Sequence, residues 1–256
     1  MSVLLITGAT GNIGKKLRAH LGDRYALKLL DINGDDDPAV TVIDLSQWDE
    51  RIVEQFTGVD CVVHLAADPD ETKSWKELTA PNLDALNNVF VAAIKARVPR
   101  VVFASSNHVM GGYKGEKGSG RWLTTKLDPR PGTHLETLDP DRYDSTAYGA
   151  MKLFGERLGL CYSHSTGGVC IAIRLGWVYR LGQNQPEDLP PGADIWFKRM
   201  WLSTGDLCQL MEQSITVQMP GKSFVLLNGM SDNEEMVWDI EETKTQLRYN
   251  PKDSLK

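Results

Sequence analysis

Residues 3–21 read VLLITGATGNIGKKLRAHL: an apolar run, a turn holding Gly8, Gly11 and Gly14, and a stretch with helical apolar spacing. Val3–Thr7 is predicted as a strand and Ile13–Leu21 as the helix that follows it. Glycine-rich turns end many strands, so three glycines alone are weak evidence. The strand before and the helix after give these three their weight. Lacking Cβ atoms, such a turn lets a diphosphate approach the backbone, and the helix N-terminus offers it free N–H groups and a partial positive charge.

The alternation repeats along the chain. Leu27–Leu30, Thr41–Ile43, Cys61–Leu65, Arg100–Ala104 and Val169–Leu175 read as strands, with helices over Asn82–Ala96 and Ala147–Cys161. Strands that are apolar on both faces and separated by helices imply a parallel sheet covered on both sides. Right-handed crossovers then predict a doubly wound α/β (Rossmann) fold, with ligands at the carboxyl ends of the strands. Two segments break the rhythm. Gly111–Thr146 has no convincing period, and so long a loop within a compact domain points to function or mobility. Gly182–Lys256 carries helical patches over Arg199–Ser214 and Asp239–Leu247 and one strand, Phe224–Leu227. The expected division is a dinucleotide-binding domain over 1–181 and a small substrate-binding cap over 182–256.

Composition narrows the function classes. The chain has 256 residues, 41% hydrophobic and 24% charged, with a net charge of −6 and no basic block, which disfavours nucleic-acid binding. No apolar run is long enough for a membrane span, and no signal-peptide pattern follows Met1, so a cytoplasmic protein is expected. Cys61, Cys161, Cys170 and Cys208 form no C-x-x-C pair and are expected as free thiols. His20, His64, His134 and His164 show no metal-ligand spacing, so no metal is expected.

The glycine turn predicts a dinucleotide held by Gly8, Gly11, Asn12, Ile13 and Gly14. Asp31 ends the second strand, where a carboxylate accepts both ribose hydroxyls of adenosine and repels a 2′-phosphate. No Arg or Lys follows in Ile32-Asn33-Gly34, so NAD is expected rather than NADP. Asp44-Leu45 and Leu65-Ala66-Ala67 end the next strands on the same edge, where adenine and nicotinamide ribose would rest. Asp44 is equally readable as a cap for a helix over Leu45–Val53.

Tyr148 and Lys152 lie one helical turn apart on one face of YGAMKLFGERLGL, although Gly149 and Gly155 weaken that helix. A second such pair, Tyr113 and Lys117, sits in a stretch too glycine-rich to be helical. A phenol near pKa 10 acts as a base at neutral pH only if neighbouring positive charge favours the phenolate. Ser106, at the end of the strand Arg100–Ala104, is placed to hold a substrate oxygen against it. Arg174 ends a buried strand and reads as a structural ion-pair partner.

Taken together, TGATGNIG, Asp31, SSNHVMGGY and YGAMK resemble the extended short-chain dehydrogenase/reductase family. Ser-Ser-Asn-His, Met200-Trp201-Leu202-Ser203 and Gly229-Met230-Ser231-Asp232-Asn233 are similar to its uronate dehydrogenases and related aldose dehydrogenases. The resemblance implies Tyr148 as the base, Lys152 binding the nicotinamide ribose, Ser106 orienting the reacting hydroxyl, and Asn107 and His108 binding substrate hydroxyls. It implies hydride transfer from C1 of a pyranose to NAD, giving a lactone, with an acidic sugar (uronate, 6-phosphate or 6-sulfonate) expected. It also implies pairing of two copies through Asn82–Ala96 and Ala147–Cys161 as a homodimer. The chain departs from the pattern in places. Trp177 follows Arg174-Leu175-Gly176 where a serine is expected, and Ala67-Asp68-Pro69-Asp70 replaces another. The arginine for the acidic group has no secure equivalent; Arg199, beside Lys198, is the candidate. Two other functions stay open at this point: a nucleotide-sugar epimerase or dehydratase of the same fold, and a non-catalytic NAD-binding protein.

Overall fold

The computed structural model describes residues 1–134, 144–221 and 223–256; residues 135–143 of the expected loop lie outside the described residues. In chain order the elements are β1 (Val3–Thr7), α1 (Asn12–Leu21), β2 (Ala26–Asp31), β3 (Val40–Val42), α2 (Glu50–Phe56) and β4 (Cys61–His64). There follow α3 (Trp75–Thr79), α4 (Ala85–Lys95), β5 (Arg100–Ser106), α5 (Thr146–Thr166) and β6 (Val169–Leu175). The last are α6 (Ile195–Arg199), α7 (Thr204–Thr216), β7 (Phe224–Gly229) and α8 (Glu241–Leu247). The strands form one parallel sheet in the order β3-β2-β1-β4-β5-β6-β7. The order reverses between β1 and β4, so the loops leaving those two strands diverge and open a crevice at their carboxyl ends.

The strands are buried on both faces, and alternate residues feed two cores. On β1, Leu4 and Ile6 join Leu17 and Leu21 of α1 and Leu207 and Met211 of α7, while Leu5 points the other way. There it meets Ile52 and Phe56 of α2, Val89 and Phe90 of α4, and Tyr162 of α5. The expected helix over Asn82–Ala96 is only partly regular. α3 runs through a π-turn at Ala80–Asp84 into α4, because Pro81 has no N–H for the α-helical ladder.

The expected cap over 182–256 is redrawn by the sheet. β7 pairs with β6 as its seventh strand, and α7 packs beside α1 in the same core, so both belong to the main layer. What covers the carboxyl edge is a composite third core. Val109, Met110 and Leu123 come from the first half of the chain, and Trp196, Met200, Met230, Met236 and Trp238 from the second. The patch Arg199–Ser214 is likewise two helices, α6 and α7, because Ser203 caps α7 by accepting from the Asp206 N–H at 3.0 Å.

α5 packs tightly against the sheet. A Cβ at Gly155 would stand 2.3 Å from the Phe103 ring, so the glycines that weaken this helix in sequence are its contact face. Deeper still, Arg174 of β6 donates from Nε and Nη2 to the two carboxylate oxygens of Glu156, each at 2.8 Å, and Ser105 of β5 donates to Oε1 at 2.7 Å. Arg174 is thus the structural partner its position suggested. Replacing Arg174 with Met strands a buried carboxylate and is expected to cost about 3–5 kcal/mol in urea unfolding. The double variant Arg174→Met/Glu156→Leu should recover most of that loss, since no unpaired charge remains.

Candidate active site

A cleft of about 1350 Å³ runs along the carboxyl edge from Asp31 to Phe197. A small substrate alone needs far less room, and the volume accommodates a dinucleotide with a small substrate beside it. At one end the glycine turn is closed tightly. Gly8 has φ +73°, and a Cβ there would lie 2.7 Å from the Ala66 nitrogen; one at Gly14 would lie 2.2 Å from the Gly8 oxygen. The N-cap of α1 is Gly11, with no side-chain cap, so the first-turn N–H groups are left to a ligand. This cradle fits a diphosphate.

Asp31 stands at the tip of β2, accepting from the Thr10 N–H at 2.9 Å and the Asn33 N–H at 3.2 Å. Those contacts fix the carboxylate beside the turn. Asp44 accepts from the Ser46 N–H and hydroxyl at 2.9 and 2.7 Å and lines the cleft with Leu45. Its reading as a helix cap does not hold: α2 begins at Glu50 and is capped by Asp49. Leu65, Ala66 and Ala67 line the next part of the wall. Asn82 holds that loop, accepting from the Asp68 N–H and donating to the Asp68 carbonyl at 2.6 and 3.0 Å.

Ser106, Asn107, His108, Tyr148 and Lys152 meet at the other end of the cleft. β5 delivers the first three at its carboxyl end, and α5 brings Tyr148 and Lys152 across it. The approach is possible because Gly149 has no Cβ, which would sit 2.5 Å from the His108 carbonyl oxygen. Lys152 donates to the Ala104 carbonyl at 2.9 Å, and burial pulls its pKa down to about 8. Burial raises the Tyr148 phenol, helped by the charge of Glu71 and opposed by Ser106 and Arg180. The phenol is therefore protonated until positive charge is brought beside it. His108 stands edge-on to the Tyr148 ring, with centroids 5.6 Å apart. Asn107 donates to the Leu175 carbonyl at 3.1 Å.

Arg199 is not brought to this cleft. It pairs with Glu235 on the outer surface of α6, because the short helix turns Phe197 inward and Arg199 away. The arginine that lines the cleft is Arg180, which follows β6 and donates to the Pro69 carbonyl at 3.3 Å. The strand-end position that marks Ser106 also marks Arg180, five residues beyond β6. Trp177, at the position of the expected serine, stacks edge-on with Tyr179 and Phe197 and walls this end of the cleft with aromatic surface. Glu71, beside Tyr148 and Arg180, carries no sequence signal at all.

Burial also keeps two histidines neutral, His64 with a pKa of about 3 and His108 of about 4, against an ordinary 6.5. Below pH 6.5 the unfolded chain takes up these protons before the native one does, so stability is full above that pH and falls as pH drops toward 4. Two such groups imply a loss of about 4 kcal/mol between pH 7 and 5. Urea midpoints at the two pH values measure it, and His108→Gln should roughly halve the loss.

Residues 4–192 match the NAD dependent epimerase/dehydratase family. The L-arabinose 1-dehydrogenase (NAD(P)(+)) of Haloferax volcanii is 30% identical over 99% of this chain and 98% of its own length. The uronate dehydrogenase of Pseudomonas putida is 34% identical over 98% of this chain and 84% of its own. Among solved structures, a mutant uronate dehydrogenase of Agrobacterium tumefaciens complexed with NAD superposes with a TM-score of 0.76. It is 27% identical, covering 99% of this chain and 86% of that one. The glycine cradle, the strand-end carboxylate and full-length similarity of this kind make the chain a member of the NAD dependent epimerase/dehydratase family, on its sugar-dehydrogenase side.

Proposed function

We propose that the protein oxidises C1 of a pyranose with NAD, giving a lactone. The observation that carries this reading is the convergence of Ser106, His108, Tyr148 and Lys152 at the end of the cleft away from Asp31. The backbone of Gly8–Gly14 would hold the diphosphate of NAD and Asp31 its adenosine ribose, and the nicotinamide would supply the hydride acceptor. Ser106 orients the C1 hydroxyl, and Tyr148 takes its proton. The Lys152 ammonium, one turn away and desolvated, favours the phenolate and binds the nicotinamide ribose. Asn107 and His108 hold sugar hydroxyls, and the Trp177–Phe197 wall faces the ring.

For the acidic sugar expected from the sequence, we assign the anion to Arg180 in place of Arg199. Apart from Lys152, which is assigned to the nicotinamide ribose, Arg180 is the cationic side chain that lines this end of the cleft without a side-chain ion pair among the described residues. Lys114, nearby, is already paired with Asp194. The exposed Ile94 of α4 and Phe154 of α5 support the homodimer reading through those helices. Free cysteines suit a cytoplasmic protein. Among the described residues no helix is long and apolar enough to cross a membrane.

NADH formation at 340 nm with glucuronate, galacturonate, glucose 6-phosphate, 6-sulfo-6-deoxyglucose, glucose and xylose tests the reading, each with NAD and NADP. An acidic sugar with NAD is the expected substrate, and silence across the panel with NAD bound would overturn the dehydrogenase reading. Tyr148→Phe should abolish turnover with NAD affinity unchanged. Arg180→Gln should lower kcat/KM for the acidic sugar by tenfold or more, the value of about 1.5–3 kcal/mol for hydrogen bonds to a charged group, and leave a neutral sugar unaffected.

A further inference from the structure

His108 is held from behind by two hydroxyls that no motif announces. Its Nδ1 lies 2.7 Å from the Ser145 hydroxyl and 2.9 Å from that of Thr133. Ser145 immediately precedes α5, and Thr133 lies in the long segment between β5 and α5. Both are fully buried. Their own link is a third bond, from the Thr133 N–H to the Ser145 hydroxyl oxygen at 3.1 Å. The ring's Nε2 has no partner among the described residues, and the ring lines the cleft.

Donor accounting decides which way these bonds run. The Ser145 oxygen already accepts from the Thr133 backbone, so its hydrogen needs an acceptor, and so does that of the Thr133 hydroxyl. The acceptor within reach of both, among the described residues, is Nδ1. If Nδ1 carried the proton it could donate to one hydroxyl oxygen, but neither hydroxyl hydrogen would then have an acceptor among the described residues. If Nδ1 is bare, Ser145 donates to it at the shorter distance and Thr133 shares the lone pair. Burial disfavours the third alternative, a charged ring.

We infer that Ser145 and Thr133 are positioning residues that hold His108 as the Nε2–H tautomer and turn that N–H to the sugar as a hydrogen-bond donor. The inference deepens the sugar-oxidation reading and rests on it for the identity of the acceptor. It defines what His108 recognises: an oxygen lone pair on the ring or a hydroxyl, without a contribution from charge. It also assigns work to the segment after β5. That segment carries Thr133 under the site, and a Cβ at Gly111 would collide with it at 1.9 Å from the Thr133 hydroxyl oxygen.

Histidine ¹⁵N resonances of the NAD-bound protein test this directly, with His108→Gln identifying the signal. The expected wild-type pattern is a protonated Nε2 and a bare Nδ1. Ser145→Ala/Thr133→Val should give a mixture of tautomers and raise KM for the sugar about three- to tenfold at unchanged NAD affinity, the value of one hydrogen bond. Thr133→Ser, which keeps a hydroxyl, should restore the wild-type pattern. If the double variant fails to fold, Ser145→Ala alone, which removes the hydroxyl at the shorter distance, should still shift the tautomer balance. A protonated Nδ1 in the wild type, or an unchanged tautomer in the folded variants, overturns the inference. The resonances are read without a sugar, so failure of the oxidation reading would appear separately, as absent turnover beside an intact tautomer pattern.

Discussion

The buried pair between Glu156 and Arg174 holds the catalytic geometry together. Two desolvated charges are costly, and what offsets the cost here is a two-pronged contact completed by the Ser105 hydroxyl. The pair links α5 to β6 and, through Ser105, to β5. Lys152 and Tyr148 stand one and two turns before Glu156 on the same helix, so fixing Glu156 against the sheet fixes them over the end of β5. An apolar contact there would stabilise as well, but would leave the helix free to slide along its axis. The bidentate geometry allows one register. Gly155 and Gly149 serve the same end, since each lets the helix approach more closely than an alanine would.

The electrostatics of the cleft follow from that closeness. Tyr148, Lys152, His64 and His108 are all desolvated, and each is pushed toward its neutral form. A neutral phenol beside a lysine whose pKa has fallen to about 8 is not yet a base. In so desolvated a cleft charges act strongly on one another, so added positive charge beside Tyr148 would favour its phenolate. The Thr7 hydroxyl, 2.7 Å from His64 Nδ1, plays beneath the cofactor turn the part that Ser145 and Thr133 play behind His108. In both places a buried imidazole is kept neutral and held by a hydroxyl that already accepts a backbone N–H.

The sheet was legible because its signals are local. Alternating apolar runs and glycine-marked turns need no knowledge of distant residues, and β1, β5, β6 and α5 fall where those patterns place them. The site was legible where it occupies strand ends, as Asp31 and Ser106 do. It was illegible where side chains meet through tertiary packing. Arg199 and Arg180 are both arginines beside aromatic residues in the same region, and only the turn of α6 decides that one faces Glu235 and the other the cleft. Asn82, Thr133 and Ser145 act through backbone or ring atoms far away in sequence, which no spacing rule detects.

The cap illustrates the same limit from the side of architecture. A tail that loses its alternation reads as a separate unit, yet β7 completes the sheet because β6 would otherwise be a long apolar edge strand. What covers the cleft is then drawn from both halves of the chain. Met110 and Leu123 pack with Trp196, Met200 and Trp238 in one small core. Trp177 and Phe197, which line the cleft, lean on it. A wall assembled in this way is tied to β5 at one end and to β7 at the other. Changes that suit it to a different sugar can therefore arise in its loops while the glycine turn, Asp31 and the Glu156–Arg174 pair stay in place. The Trp177 substitution lies in that wall rather than in the machinery beneath it, so specificity can shift without disturbing Tyr148 or Lys152.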